Sequence, residues 1–393
     1  MKRKSLVALL LAFTLLLTAC GNGGAKNNKP ANNAEKNNKN SSQEEAPKSD
    51  LKVGFVTDEG GINDESFNQG VWEGLQKAAN DFGLDASYQQ SKDENDYRPN
   101  FDTLLDDEKD LIIGAGFKMG GTIIKEAQAN PDVKFAIVDV DPTNEGKDEA
   151  PANLLGIMFK AQEPSFMVGY IAGQMTKTDK VGFVGGQEGT IIWGFEYGYK
   201  AGVEYAAKEL GKKIEILSQY VGDFSDAQKG KVIANTMYQN GADIVFQAAG
   251  GAGLGVIESA KEQGEGKWVI GVDKDQYDLA PDNVLTSAMK NANVAIYEIL
   301  KDLSEGKEFQ GGTTRVFGLQ DAEAVGISPS TDKHVPQEII DKTNALVEKI
   351  VSEEIKVPYN AETYEEYGYG KQNIILRVLR HSFFTYFYIK QMY

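Results

Sequence analysis

The sequence has one cysteine, Cys20, and two histidines, His334 and His381, in 393 residues. A single thiol near the amino terminus leaves the rest of the chain without a disulfide or a thiolate metal set. Two isolated histidines give no Cys/His zinc constellation. A Ser-His-Asp triad would have to borrow one of them, and no Gly-x-Ser-x-Gly elbow is present. Positive charge is also short: 41 Lys and Arg stand against 58 Asp and Glu, a formal charge of −17. That balance argues against nucleic acid and against direct adsorption to anionic lipid. Nor is there an apolar run of the roughly 20 residues a membrane span needs.

What is present begins with a basic cluster, Lys2, Arg3 and Lys4, then the apolar run Leu6 to Leu17, then Leu17-Thr18-Ala19-Cys20. A charged start, a short apolar stretch and small residues before a cut site are the parts of a secretory signal. The segment resembles a bacterial lipobox, so residues 1–19 are expected to be a signal peptide and Cys20 to carry lipid. Removing the leader takes the formal charge from −17 to −20. Residues 20–50 hold no large apolar side chain after Cys20, and such a stretch behaves as a flexible tether. The segment 361–393 is set apart as an atypical tail. Its end, 373–393 (NIILRVLRHSFFTYFYIKQMY), is basic and aromatic, unlike the acidic body. It reads as an amphipathic surface segment, a partner-binding helix or an appendage from an altered reading frame. The last is preferred because the helix expected over Glu338–Val351 closes the body, and no function is assigned to it.

The body from Leu51 alternates strand-like and helix-like segments. Lys52–Thr57, Ala86–Gln89, Leu111–Ala115, Lys134–Asp139 and Leu154–Met158 read as strands, with a helix over Phe67–Phe82 and another over Glu163–Met175. The pattern restarts at Lys180–Gly185, followed by a helix around Trp193–Leu210. The spacing then predicts strands Ile214–Val221, Asp243–Ala248 and Trp268–Val272, with helices Ala227–Gln239 and Leu254–Gln263 between them. Strands alternating with helices imply an α/β fold of parallel sheets with right-handed crossovers. Two runs in tandem imply two doubly wound lobes joined by a hinge. The first takes residues 51–158 plus about 289–320, the second 159–288 plus about 321–360.

Open parallel sheets bind ligands beyond the carboxyl ends of their strands. The residues found there are Asp58, Phe67 and Asn68 after the first strand, Asp139 after the fourth, then Phe224, Gly250, Gly251, Asp273 and Lys290 in the second run. Carboxylates accept pairs of hydrogen bonds from vicinal hydroxyls, aromatic rings stack on flat bases, and glycines admit close backbone approach. The set suits a neutral, flat, hydroxylated molecule such as a nucleoside. Singly, each residue also has a bland role: a capping Asp58, a core Phe67, a stapling Phe224, a tight turn at Gly250-Gly251. Asp58, Asp139 and Asp273 also leave a carboxylate-only hydrolase open.

Taken together, VGFVTDEGGINDESFNQGVWEGL (53–75), KFAIVD (134–139), VGFVGG (181–186), YVGDFSDAQKGK (220–231), VFQAAGGAGLGV (245–256), VIGVDKDQ (269–276) and LTSAMK (285–290) carry a resemblance. The body resembles the basic membrane protein family of lipoproteins, the purine-nucleoside receptors of ABC importers, with a type 1 periplasmic-binding fold. The resemblance implies that Asp58 and Asp273 hold ribose hydroxyls, with Lys290 and the backbone near Gly251 assisting. It implies that Phe67 and Phe224 stack on the base and that Asn68 and Asp139 bond its edges. It also implies a nucleoside ligand, ABC permease subunits as partners, attachment through lipid on Cys20 at the outer face of the cytoplasmic membrane, and no cofactor, metal, nucleic-acid partner or catalysis. The receptor is expected to be a monomer. The alternatives are a sugar or signalling-molecule receptor of the same fold and a nucleoside hydrolase.

Overall fold

A computed structural model describes residues 49–143, 150–321 and 323–369. The leader, Cys20, the tether to residue 48 and the segment 373–393 lie outside the described residues.

The first lobe starts with β1 (Lys52–Val56), α1 (Phe67–Phe82), β2 (Asp85–Gln89), α2 (Tyr97–Asp106), β3 (Leu111–Ala115), α3 (Gly120–Ala129), β4 (Lys134–Val138) and β5 (Leu154–Phe159). After α4 (Gln162–Met175) the pattern repeats as β6 (Lys180–Gly185), α5 (Thr190–Glu209), β7 (Glu215–Tyr220), α6 (Ala227–Gln239), β8 (Ile244–Ala248), α7 (Gly253–Gln263), β9 (Trp268–Asp273) and β10 (Val284–Lys290). The described residues end with α8 (Ala292–Ser304), β11 (Thr314–Phe317), β12 (Val325–Ile327), α9 (Gln337–Val351) and α10 (Ala361–Tyr369).

The strands form two sheets, ordered β2-β1-β3-β4-β5-β11 and β7-β6-β8-β9-β10-β12. Pairing is parallel throughout except that β12 runs antiparallel to β10. The central strands are continuous apolar runs, as buried parallel strands must be; every residue of β3 and β8 is buried. Val53, Phe55 and Val71 pack on one face of the first sheet, Phe101, Phe135 and Ile137 on the other. Phe183 and Phe246 do the same on one side of the second sheet, Val245 and Val256 on the other. α1 ends at Gly83, whose φ of 76° is the left-handed cap that stops a helix. α4 is apolar nearly all round because α5 covers it: a Cβ at Gly202 would lie 2.0 Å from the Phe166 carbonyl, so only glycine permits that crossing.

The chain crosses between lobes at β5 to α4, β10 to α8 and β11 to β12. Backbone bonds tie the crossings together: Lys160 N–H to the Phe317 carbonyl at 2.8 Å, and Asn291 N–H to that of Ala324 at 2.8 Å. The expectation that Glu338–Val351 is the last helix is corrected. α10 follows, its Tyr367 ring edge-on to Phe166 and the Tyr364 hydroxyl donating to Glu204. Two further helices, α2 and α3, also lie outside the segments read from the sequence.

Candidate functional site

Both sheets have the strand order that reverses at the first strand of each lobe, and their carboxyl ends face one another across a cleft. The cleft closes on a cavity of about 500 Å³ of empty space, part of it open to solvent. Asp58, Phe67, Asn68, Asp139, Phe224, Gly250, Asp273 and Lys290 all line it. Gly251 does not. A Cβ there would lie 3.2 Å from the Phe224 carbonyl and 3.7 Å from the Asp64 Cβ, so Gly251 packs against the Phe224 main chain and Asp64.

Asp58 leaves β1 with its side chain fixed from two directions. Oδ1 accepts from the Gly60 N–H at 2.8 Å and from the Asn68 amide at 2.7 Å. Asn68 gives its other bonds to the protein as well, donating to Asp64 at 3.0 Å and accepting from the Asp58 N–H at 3.2 Å. Its amide is thus engaged by two acids, and the base-edge contact implied by the resemblance would require those bonds to be given up. Burial pushes the Asp58 carboxyl up to about 7, with the charge of Glu59 adding to it, while the Gly60 and Asn68 bonds oppose the rise.

Asp139 and Asp273 close β4 and β9, the fourth strands of their lobes. Both hold left-handed backbone, φ 67° and 62°, which Asp tolerates better than most residues. Asp139 pairs with Lys290 at 2.5 Å, both side chains almost fully buried. The Lys290 ammonium stands 4.4 Å from the Phe67 ring centre and 5.7 Å from that of Phe195, within cation–π range. Asp273 instead accepts the Ser66 hydroxyl at 2.6 Å. Burial raises its carboxyl to about 6, opposed by the Lys290 charge and the Ser66 bond.

Phe67 opens α1, and Phe224 follows β7. Phe224 meets Phe117 edge-on at 6.1 Å, a ring contact between lobes. Phe117, Ile191, Ile192 and Phe195 add to the apolar lining and are not among the residues read from the sequence. Phe117 follows β3 by two residues, so the strand-end rule would have found it. Ile191, Ile192 and Phe195 open α5 and carry no local signal that separates them from core.

Chemically, the cavity offers buried acids as hydrogen-bond acceptors, one ion-paired lysine and several rings. Among the described residues no His, Cys, Asp and Glu cluster could hold a metal ion, and no helix is long and apolar enough to cross a membrane.

Residues 51–361 match a family model described as ABC transporter substrate-binding protein PnrA-like. The chain is 39% identical to basic membrane protein A of Borreliella afzelii, over 80% of this chain and 94% of that protein. It is 42% identical to the CD4+ T-cell-stimulating antigen of Listeria monocytogenes, over 79% and 88%. Its fold matches a solute-binding protein of an ABC transporter system from Aeropyrum pernix with a TM-score of 0.72 at 26% identity, covering 80% of this chain and 96% of the other. A solute-binding protein from Conexibacter woesei matches with a TM-score of 0.61 at 23% identity, over 79% and 99%. Proteins of this family bind solutes for membrane permeases and are not enzymes, and their architecture is the type 1 periplasmic-binding fold found here. On sequence, fold and cleft together, the chain belongs to the family of PnrA-like ABC transporter substrate-binding proteins.

Proposed function

We propose that this protein captures a nucleoside, a purine nucleoside foremost, between its lobes and delivers it to ABC permease subunits. It would act as a monomer held at the outer face of the bacterial cytoplasmic membrane by lipid on Cys20. The observation that carries the reading is the pairing, in one cavity, of two buried strand-end carboxylates, Asp58 and Asp273, with the rings of Phe67 and Phe224.

A ribose presents vicinal hydroxyls. Each needs an acceptor once it leaves water, or the unmade bonds are lost at about 1–3 kcal/mol apiece. Asp58 and Asp273, each with one oxygen already taken by the protein, have the other for this task. Phe67 and Phe224 offer apolar faces for the base, with stacking worth about 1–3 kcal/mol per base. Lys290 and Asp139 neutralise one another and supply a donor and an acceptor beside the base. Asn68 sets the Asp58 carboxylate in place. Gly250 lets the backbone approach, and Gly251 leaves room for the Phe224 main chain. The remaining carboxylates disfavour a nucleotide, whose phosphate would be repelled at close range.

Calorimetric titration with guanosine, adenosine, inosine and ribose tests this reading, with chromatography of the ligand recovered afterwards. The expected result is nucleoside binding well above that of ribose, with the ligand recovered intact. Ribose binding as tightly as inosine would replace the nucleoside by a sugar. Recovery of free base would end the receptor reading.

A further inference from the structure

One short segment of the first lobe makes a run of contacts to the second. The Glu65 carbonyl accepts from the Gln276 amide at 2.8 Å, Glu73 pairs with Lys274 at 2.7 Å, and the Ser66 hydroxyl donates to Asp273 at 2.6 Å. Behind them, Asp64 accepts the N–H groups of Ser66, Asn68 and Gln69 at 3.0, 2.9 and 3.1 Å, plus the Asn68 side chain at 3.0 Å. Ser66 is fully buried, and Asp64, Asn68 and Asp273 nearly so. The segment is therefore held by its own buried acid and presents one hydroxyl to the acid of the opposite lobe.

We propose that Ser66 is a positioning residue that makes lobe closure and ligand-hydroxyl capture one event: it takes one oxygen of Asp273 from across the cleft and leaves the other for a ribose hydroxyl. The inference rests on the nucleoside reading of the cavity. The contact is made with no ligand in the cleft, so Asp273 already has one donor from the opposite lobe before a guest arrives. On closure, a ligand without the hydroxyl leaves Asp273 buried with a single donor, so the same contact that shuts the cleft also discriminates against the wrong guest. The charged groups acting on Asp273 are Lys290, which favours its ionised form, and Asp64 and Asp139, which oppose it. The Ser66 bond adds to the Lys290 side.

The test compares wild type, Ser66→Ala and Ser66→Thr in the full chain, in two measurements. In the first, the Asp273 carboxyl of the unliganded protein is titrated by carbon-detected NMR. Ser66→Ala should raise its midpoint by about one pH unit and Ser66→Thr should restore it. In the second, inosine and hypoxanthine are titrated calorimetrically. Ser66→Ala should weaken inosine about tenfold or more and hypoxanthine by no more than about twofold, with Ser66→Thr recovering inosine. An unmoved Asp273 midpoint, or an equal loss for riboside and base, overturns the proposal. A wild type that binds no nucleoside, yet whose Asp273 midpoint moves with Ser66→Ala, overturns the nucleoside reading instead and retains Ser66 as the positioning residue of the closed cleft.

Discussion

Asp139 and Asp273 hold equivalent places in the two lobes, each at the end of the fourth strand and each in left-handed backbone. Their surroundings differ. Asp139 meets a full countercharge in Lys290, delivered from the other lobe; Asp273 meets only the Ser66 hydroxyl at contact distance. Burial raises Asp273 to about 6 even though Lys290 opposes the rise. The same backbone device thus yields one acid committed to holding the lobes together and one with capacity left over. Repetition of the lobe supplies the geometry, and the residue facing it decides the task.

The largest expected effect comes from breaking the committed half. Lys290→Met leaves Asp139 buried without its partner and should lower unfolding stability by about 3–5 kcal/mol in urea denaturation. Adding Asp139→Asn, which keeps a residue tolerant of the left-handed backbone, should recover most of that loss. A single variant as stable as wild type would mean the pair contributes nothing. Phe224→Ala is next, with a loss of about 1–3 kcal/mol in nucleoside affinity by calorimetry; unchanged affinity would remove that ring from the site. Asp273→Asn should weaken ribosides by about 1–3 kcal/mol and free bases much less. Equal losses would break the contrast between the two acids.

pH gives the smallest and most graded test. Asp58 and Asp273 have folded-state values of about 7 and about 6, above the ordinary 3.8. From about pH 4 to 7 the folded chain holds protons that the unfolded chain has released. Stability of the unliganded protein should therefore fall as pH rises through that window and level off above it. Riboside affinity should run the other way, because a hydroxyl donor favours the ionised acids: highest above pH 7, declining as pH drops through 7 and then 6. Parallel trends in melting temperature and affinity would contradict the assignment of either acid to the ligand.

The strands and the residues at their tips were legible because buried parallel strands are continuous apolar runs, and the strand-end rule then points at Asp58, Asp139 and Asp273. α2 and α3 were not. Each has 10 residues, α2 opens on Tyr97-Arg98-Pro99, and both show a narrow apolar stripe between polar positions. The role of Asn68 was hidden for a different reason. Its partner Asp58 lies ten residues away across a turn, and no period marks such a bond. Contacts between lobes, such as Ser66 to Asp273 or Phe117 to Phe224, depend on closure and leave no local trace. α10 escaped notice because Tyr364 packs against α5 and Tyr367 against α4 without a strong apolar period.

The proposed function turns on a closed cleft that grips a planar guest bearing vicinal hydroxyls. The most direct measurement is mass spectrometry of whatever small molecule is released when the natively purified protein is denatured. A purine nucleoside should be released at close to one equivalent, and less of it from the Phe224→Ala and Asp273→Asn variants. A free sugar, an amino acid or a nucleotide recovered in that amount would contradict the proposed function.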